Sequence, residues 1–246
     1  DPTISSLQEV IIMYIKQLAF YTLRLKKRGV TNPVIQDNII NTLSGLVSNT
    51  DYSQEQFKNI IMTIYENLRQ SKILYERICK NNNLNTEKLE LQLRLNKKFD
   101  FNESIKQGER EFIRKNKLLD QQHRHIYEIM FVLIKNVCIN LIQLKSYGKD
   151  FEDAYYSMLQ VLSTMNYKKT SIESLKKIVQ RFTLINYKLT QILHTTEIET
   201  YGKQEPVEVS FSTRPGKAIL VSGSNLKELE DVLKATKGSD LDVYTH

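Results

Sequence analysis

Apolar residues recur at helical spacing through most of residues 4–200. Between Phe57 and Leu68, for example, most apolar residues fall three or four positions apart and therefore share one face of a helix. Stripes of this kind predict roughly six amphipathic helices, each of which must pack on others to bury its apolar face. A highly charged segment between 81 and 117 interrupts the pattern. The sequence therefore predicts a helical bundle domain over residues 1–200, divided into two sub-bundles.

Polar residues mark where these helices begin. Ser6, Ser53 and Thr170 each precede a Glu or Gln by three positions, which is the capping-box pattern of a helix start. Asn32 before Pro33 is typical of a cap followed by a proline in the first turn. These signals predict helices over about 6–28, 33–47, 53–80, 118–146, 151–165 with Asp150 as its cap, and 171–196, and one or two short helices between 84 and 116.

The pattern changes after residue 200. Four of the eight glycines and two of the four prolines lie in this last part of the chain, which predicts a linker at 201–215. An apolar run ending at Val221, a Ser-Gly-Ser turn, a stretch with helical spacing and a second apolar run at 241–244 follow. This order predicts a parallel βαβ unit, so residues 216–246 are expected to begin an α/β, Rossmann-like domain. The predicted fold class is mainly α, a helical bundle followed by this first βαβ unit.

The carboxyl ends of parallel strands are where such sheets place functional groups. His246 follows the second strand at that edge. The turn Ser222–Ser224 lies between the first strand and the helix, where amides at the helix start could hold an anion. This turn lacks the glycine spacing of dinucleotide-binding and P-loop motifs, so a phosphate site there would rest on a single glycine.

Composition indicates a soluble, cytoplasmic protein that binds neither nucleic acid nor membrane. The chain is 41% hydrophobic and carries a net charge of +7, but its basic residues are scattered and many fall at helix ends, where they complement the helix dipole. The apolar stretch at 126–144 contains Glu128 and Lys135, so it is not expected to supply the roughly 20 apolar residues of a membrane span. Cys79 and Cys138 are expected to be buried, reduced thiols.

Histidines near acidic residues suggest a metal site inside the bundle. His123 and His125 lie two positions apart, so on a helix they point to nearly opposite sides and do not bind one ion. The pair His125 and Glu128 shares a helix face, and so does the pair His194 and Glu197. Di-iron bundles, however, use Glu-x-x-His twice, a pattern that this chain lacks. We therefore expect no metal ion in the bundle and a solvated polar turn around His123.

Several motifs occur together from about Asn186 onward, and a looser set occurs near the start of the chain. They are Asn186–Leu193 (NYKLTQIL), Thr200–Gly202 (TYG) with Pro206, Gly216–Gly223 (GKAILVSG), Asn225–Leu229 (NLKEL) and Val243–His246 (VYTH), and, more loosely, Leu7–Val10 and Arg28–Val30. Together they resemble the hybrid cluster proteins. These are also called prismane proteins or hydroxylamine reductases, and they are related to the nickel carbon monoxide dehydrogenases.

This resemblance implies a role for His246. In that family the histidine of Tyr-Thr-His is an iron ligand of a hybrid iron-sulfur-oxygen cluster, so the resemblance implies that His246 is a metal ligand. It also implies that glutamate and cysteine ligands come after His246 and that a cysteine motif for an iron-sulfur cluster comes before Asp1. The chain therefore resembles an N-terminal fragment without the cluster cysteines, and we expect it to bind no cluster by itself.

The resemblance further implies an oxidoreductase that reduces hydroxylamine to ammonia or acts on a related nitrogen oxide. Its partners would be a small nitrogenous substrate and an electron-donor redox protein, with open iron positions acting as Lewis acids. One alternative is a non-catalytic helical scaffold or interaction module that has lost its clusters. Another is carbon monoxide dehydrogenase-like chemistry. Ser224 and Asn225 stand where relatives commonly have His-Asp, and neither Cys79 nor Cys138 matches a cluster ligand.

Overall fold

The chain is helical as far as residue 201 and ends in a small parallel sheet, in a computed structural model that describes residues 2–46, 52–87, 89, 99–165, 170–210 and 212–245. The described residues form the helices α1 (Pro2–Lys26), α2 (Pro33–Gly45), α3 (Gln54–Asn81), α4 (Phe101–Leu118), α5 (Gln121–Ser146), α6 (Glu152–Thr164), α7 (Ile172–Tyr201) and α8 (Leu226–Thr236), and the strands β1 (Lys217–Val221) and β2 (Leu241–Thr245). The predicted fold class, a mainly α chain that ends in a βαβ unit, is confirmed.

Two helix starts have the capping geometry that the sequence predicts. The Asn32 side chain accepts hydrogen bonds from the amides of Val34 and Ile35 at 3.0 and 3.3 Å, at the start of α2. At the start of α3, the Ser53 hydroxyl accepts from the Gln56 amide at 3.3 Å. The Gln56 side chain in turn accepts from the Ser53 amide at 2.7 Å. Two amides that no helical carbonyl can reach are thus satisfied in a reciprocal capping box.

The predicted cap at Ser6 is wrong, because α1 starts earlier. Pro2 occupies the first helical position, where its missing N–H costs nothing. Ser6 therefore lies one turn inside the helix, and its hydroxyl donates a hydrogen bond to the Pro2 carbonyl at 2.8 Å. A capping-box sequence can thus also fit inside a helix that another residue has already started.

Two further caps fall one residue after the predicted position. The N-cap of α6 is Phe151 rather than Asp150, and the Phe151 side chain makes no capping hydrogen bond. The N-cap of α7 is Ser171 rather than Thr170, and its hydroxyl accepts from the Ser174 amide at 3.2 Å. In both places the start of the helix is predicted to within one residue, which is the usual precision of such boundaries.

The charged segment before α5 forms more helix than the sequence predicts. Within it lies one helix of 18 residues, α4, whose cap Asp100 accepts from the Glu103 amide at 2.8 Å. Gly108 lies in the middle of this helix, and a Cβ added there would meet the Ser6 carbonyl oxygen at 1.9 Å. The backbones of α1 and α4 therefore touch, so α4 needs few apolar anchors and leaves only a weak apolar stripe in the sequence.

The core of the bundle is one connected cluster of buried apolar side chains. Helix α1 packs on α3, α4 and α6, whereas α5 packs on α7, α2 and α6. Tyr14, Ile15 and Leu18 of α1 and Ile134 of α5 are all fully buried within this cluster. Helices from both sides of the 81–117 segment therefore pack on each other, as α1 does on α6 and α2 on α5, and share a single core.

Among the described residues, α5 is the one helix long and apolar enough to cross a membrane, by length and composition alone. The charges within 126–144 therefore do not by themselves exclude a span, contrary to the sequence argument. In the structure 39% of the most apolar window of α5 is buried in the protein, with Ile134, Val137 and Leu144 in the core. Core helices of soluble proteins have the same composition, so the finding is weak evidence for a membrane span.

Candidate functional site

The candidate site is the edge of the sheet where both strands end. β1 and β2 pair in parallel, and the last pair of the register joins Val221 to Thr245. The turn Ser222–Ser224 leaves β1 at this edge. His246, the predicted iron ligand, lies outside the described residues, although it directly follows Thr245. The described residues thus confirm the predicted parallel register next to His246, and the role of His246 stays a prediction.

The start of α8 lies at the same edge, and its own chain caps it. The side-chain oxygen of Asn225 accepts hydrogen bonds from the amides of Lys227 and Glu228, at 3.1 and 3.2 Å. An anion held at a helix start uses these same first-turn amides. Because Asn225 already occupies two of them, the geometry does not favour a phosphate site at Ser222–Ser224.

A polar cluster joins α8 to the end of α7. The Tyr201 hydroxyl donates a hydrogen bond to the Glu230 carboxylate at 3.1 Å, and the Lys227 ammonium donates to the same carboxylate at 2.6 Å. Lys234 also forms an ion pair with Glu230. The hydrogen bonds from Lys227, Lys234 and Tyr201 lower the pKa of Glu230 to about 2. Sequence analysis missed this cluster, because only the spacing of Lys227 and Glu230 on one helix is visible without the tertiary structure.

The segment before β1 is also attached to the sheet. The backbone amide of Arg214 donates a hydrogen bond to the Tyr244 hydroxyl at 2.9 Å, and its guanidinium lies 3.7 Å from the Asp242 carboxylate. Both partners belong to β2, the strand that leads to His246. These contacts join the linker to β2, and the Tyr201 contact to Glu230 joins α8 to the end of α7.

His123 links two helices instead of lying in a solvated turn, which corrects the sequence prediction. Its Nδ1 lies 2.7 Å from the Asp120 carboxylate, and its Nε2 lies 3.1 Å from the Thr170 carbonyl oxygen. Both partners can only accept a hydrogen bond, so the doubly protonated ring satisfies both. Burial lowers the pKa of His123, but the hydrogen bonds to Thr170 and Asp120 outweigh burial and leave this pKa raised above 6.5.

The other motif histidines, His125 and His194, are exposed. Within the described ranges of the chain, no group of three or more His, Cys, Asp or Glu side chains could hold a metal ion. The candidate ligands of the bundle are therefore not brought together.

Both cysteines lie in the core, as predicted. Cys79 and Cys138 are free thiols and fully buried. The Cys138 sulfur lies 3.2 Å from the Met158 sulfur, and burial raises the pKa of the Cys138 thiol. Because the thiolate is the form that binds metal or attacks a substrate, a thiol kept protonated by burial has a packing role.

Comparison with known proteins places this chain in a family. The model of the Prismane/CO dehydrogenase family matches residues 1–246. The chain belongs to this family. The match covers the loosely similar first helices as well as the distinctive last motifs, so the family resemblance seen in the sequence is confirmed.

Curated relatives are similar to this chain at low identity over its whole length. The hydroxylamine reductase of Clostridium novyi is 26% identical over 246 residues, which cover 99% of this chain and 43% of the relative. That of Geobacter metallireducens is 25% identical over 251 residues, which cover 100% of this chain and 45% of the relative. The hydroxylamine reductase of Thermotoga maritima is 50% identical over 62 residues, which cover 25% of this chain and 14% of the relative. The chain therefore spans less than half the length of the full-length relatives that it matches.

The described residues do not fit an iron-sulfur cluster, which is the group that the prismane family implies. Such clusters are held mainly by cysteine thiolates. Here Cys79 belongs to α3 and Cys138 to α5, and both are enclosed by apolar side chains. No part of the structure that is described brings either thiol into a group of metal ligands. A cluster therefore has no ligand set among these residues.

Proposed function

We propose that this chain forms the helical bundle and the first βαβ unit of an iron-sulfur oxidoreductase that acts on hydroxylamine or a related nitrogen oxide. The observation that carries the proposal is the similarity to hydroxylamine reductases over 99 to 100% of this chain, together with the family match over residues 1–246. The parent protein is the longer protein of which this chain is proposed to be a part. Its substrate is a small nitrogenous molecule, and its electrons come from a redox protein.

In this proposal the chain supplies one iron ligand, His246, and a scaffold. Support comes from the register, which brings Val221 and Thr245 together at the carboxyl edge of the sheet, immediately before His246. Functional groups of α/β sheets gather at that edge. The imidazole of His246 would bind iron in its neutral form, with its other nitrogen held by a hydrogen-bond acceptor. The remaining ligands belong to the part of the parent that this chain does not span.

The proposed reaction adds two electrons and two protons to hydroxylamine, breaks the N–O bond, and releases ammonia and water. The iron-sulfur cluster and the hybrid cluster of the parent would supply the electrons and an electrophilic iron position. The part of this chain is to hold His246 at the sheet edge, through the strand pairing and the contacts of Arg214 and Tyr201.

The second candidate is a helical scaffold or interaction module that has lost its clusters. One observation favours it: Ser224-Asn225 replace the His-Asp that relatives commonly have. The natural gene distinguishes the two candidates. The oxidoreductase proposal requires cysteine codons before Asp1 and after His246, and their absence would favour the scaffold.

The experiment that tests the proposal uses the full-length parent protein, prepared without oxygen. We expect stoichiometric iron and sulfide, and hydroxylamine-dependent oxidation of a reduced dye with release of ammonium. His246→Ala should lose nearly all of this turnover and part of the iron, with unchanged far-UV circular dichroism. His194→Ala is the matched control, because His194 is exposed on α7, and it should retain both. A His246→Ala protein with full iron content and activity would refute the ligand assignment.

A second measurement concerns the 246-residue chain alone. Since one histidine is too few ligands for a cluster, we expect no stoichiometric iron or sulfide after anaerobic reconstitution. A stably bound cluster would show that residues of this chain other than His246 act as ligands.

A further inference from the structure

The exposed face of α7 carries charges of one sign. Its charged side chains between positions 174 and 196 are all exposed cations: Lys176, Lys177, Arg181 and Lys188. Over these positions α7 contains no carboxylate. Because an α-helix turns by about 100° and rises by about 1.5 Å per residue, the four cations lie within about 140° of its circumference and along about 18 Å of its length. They therefore form one basic face.

Exposed helix faces elsewhere in the chain mix both signs. On α3, for example, the Arg69 guanidinium lies 2.8 Å from the Glu66 carboxylate one turn away, so the two charges compensate each other. On the basic face of α7, Lys177 has such a partner, because its ammonium lies 2.9 Å from the Glu173 carboxylate. The other three cations of this face form no ion pair with any residue that the structure describes. The described part of the chain therefore leaves three positive charges of this face without a counter-charge.

Two large apolar side chains lie among these cations. Leu184 and Tyr187 fall between Arg181 and Lys188 on the same face, and they are 62% and 60% exposed. Protein interfaces combine apolar and aromatic side chains at the centre with charged side chains at the rim. A nucleic acid would use the cations through its phosphates, but Leu184 adds nothing to phosphate binding. The basic face therefore fits a protein partner that presents carboxylates around an apolar centre.

The size of the basic face favours a transient partner. Helix α7 packs on α5 and α6 through its opposite face, where Leu175, Phe182 and Leu189 are buried. One helix face about 18 Å long offers less area than stable complexes bury, which is about 1,200–2,000 Å² in total, whereas redox complexes are often smaller. Complementary charge acts mainly by accelerating association. These properties suit a carrier that binds, reacts and leaves, as an electron donor does.

We propose that the basic face of α7 is the docking surface for an acidic electron-transfer protein. Carboxylates of this partner pair with Lys176, Arg181 and Lys188, and its apolar centre covers Leu184 and Tyr187. The inference rests on the proposed function, because it names the surface that receives the electron donor of the parent protein. Each one-electron transfer oxidises the donor and reduces the parent, so two transfers supply the two electrons of the proposed reaction.

Binding to the 246-residue chain tests the surface without relying on any activity. The probe is an acidic two-cluster ferredoxin, titrated into the chain in a calorimeter. At about 50 mM salt we expect a micromolar dissociation constant, which should rise at least tenfold at about 500 mM salt because the charges are exposed and screened. The same ferredoxin with its carboxylates amidated should not bind. No binding of the ferredoxin at low salt, or binding that does not change with salt, would overturn the proposal.

Two triple variants assign the surface. The first removes three cations of the basic face: Lys176→Gln, Arg181→Gln and Lys188→Gln. The second is the matched control, which removes three exposed cations of α3 and therefore changes the net charge by the same amount: Lys58→Gln, Arg69→Gln and Lys80→Gln. The α7 variant should bind ferredoxin at least tenfold more weakly, and the α3 variant should bind it nearly as the original chain does. Equal binding by the two variants, with folding verified by circular dichroism, would contradict this placement.

A third variant distinguishes a protein partner from a nucleic acid. Leu184→Ala keeps every charge of the basic face and removes an apolar side chain from its centre, so it should weaken ferredoxin binding several-fold. A single-stranded oligonucleotide should bind the original chain more weakly than ferredoxin does at the same salt concentration. Tighter binding of the oligonucleotide, or unchanged ferredoxin binding in Leu184→Ala, would overturn the choice of a protein partner.

Turnover by the full-length parent protein separates this inference from the proposed function. With a reduced dye as electron donor, the α7 triple variant should reduce hydroxylamine at the original rate, because the basic face takes no part in the reaction itself. With reduced ferredoxin as donor, the KM for ferredoxin should rise about tenfold in this variant. An equal KM in the original parent and the variant would refute the docking surface. An original parent that reduces no hydroxylamine with either donor would refute the proposed function, and the binding measurements would then decide on the surface alone.

Discussion

The helical bundle and the βαβ unit are both built from amphipathic elements, but only the bundle buries its apolar faces. Helices α1–α3 and α5–α7 contribute to one connected core, and Phe101 and Ile105 of α4 pack against it. In the βαβ unit, every residue of α8 is exposed or half-buried, and Leu220 of β1 is 74% exposed. An amphipathic pattern therefore indicates which face of a helix or strand can be buried. It does not show whether residues of this chain bury that face.

The two regions consequently depend on different interactions. Burial of apolar area stabilises the bundle, at about 25 cal/mol per Å². The βαβ unit is held by two paired strands, the Asn225 cap and ion pairs such as that of Lys227 with Glu230. Two-stranded sheets are marginal in water, and exposed ion pairs contribute little. We therefore expect the bundle to determine the stability of the chain and the βαβ unit to open locally.

The largest expected loss of stability comes from shortening a side chain in the bundle core. Ile15 is fully buried in α1, so Ile15→Ala should lower the free energy of unfolding by about 2–5 kcal/mol. Leu233→Ala is the counterpart in α8, where Leu233 is 50% exposed, and it should cost less than about 1 kcal/mol. Urea denaturation followed by far-UV circular dichroism measures both. Losses of similar size would show that the βαβ unit shares the stability of the bundle.

The contact between α1 and α4 is the next test of the bundle. Gly108→Ala would place a Cβ 1.9 Å from the Ser6 carbonyl oxygen, so the helices must separate, at a cost of about 1–3 kcal/mol. Helix propensity alone predicts the opposite sign, because alanine favours a helix by about 1 kcal/mol over glycine. Lys106→Ala, at an exposed position of α4, is the control and should be close to neutral. An increase in stability on Gly108→Ala would refute the close packing.

The same residues show why parts of the fold could be predicted and others could not. The start of α3 could be predicted from the local sequence. The apolar stripe that begins at Phe57 and the capping box of Ser53 with Gln56 both indicate the same helix. Helix α4 depends on a distant partner, since Gly108 packs on the backbone of Ser6, more than 100 positions earlier. The capping-box pattern at Ser6 predicted the wrong helix start, because α1 already begins at Pro2, four positions earlier.

The candidate site also has features that the sequence predicted and features that it did not. The order of strand, turn, helix and strand predicted the parallel edge beside His246, because the chirality and connection of a βαβ unit are general. The contact of Tyr201 with Glu230 could not be predicted, because it joins residues 29 positions apart in different elements.

Helix caps allow one chemical change to be compared in both regions. Ser53→Ala removes the cap of α3 and should lower the global stability by about 1 kcal/mol in urea denaturation. Asn225→Ala removes the cap of α8 and should instead reduce hydrogen-exchange protection of α8, with little change in the urea midpoint. Ser6→Ala is the control, because Ser6 caps no helix start, and its cost should be smaller than that of Ser53→Ala. A large shift in the urea midpoint for Asn225→Ala would contradict local opening.

The smallest expected effects are pH-dependent, and they have opposite signs in the two regions. In the bundle, the pKa of His123 is raised above 6.5 by its hydrogen bonds to Thr170 and Asp120, which outweigh burial. A raised pKa gives a contribution that is complete below the unfolded value and is lost as the pH rises through the folded pKa. The stability difference between the original chain and His123→Ala should therefore be larger at pH 5.5 than at pH 8.5. A difference that grows with pH would contradict the protonated bridge.

In the βαβ unit, Glu230 should act in the other direction. Its pKa is lowered to about 2 by hydrogen bonds from Lys227, Lys234 and Tyr201. A lowered pKa gives a contribution that is present above the unfolded value near 4.5 and is lost as the pH falls toward 2. Hydrogen-exchange protection of α8 should therefore decrease between pH 4.5 and pH 2.5 relative to Glu230→Gln, after correction for the intrinsic exchange rate. Because Glu230 is solvated, the change should be confined to α8, and an equal loss of protection in α1 would show that the bundle and the βαβ unit unfold together.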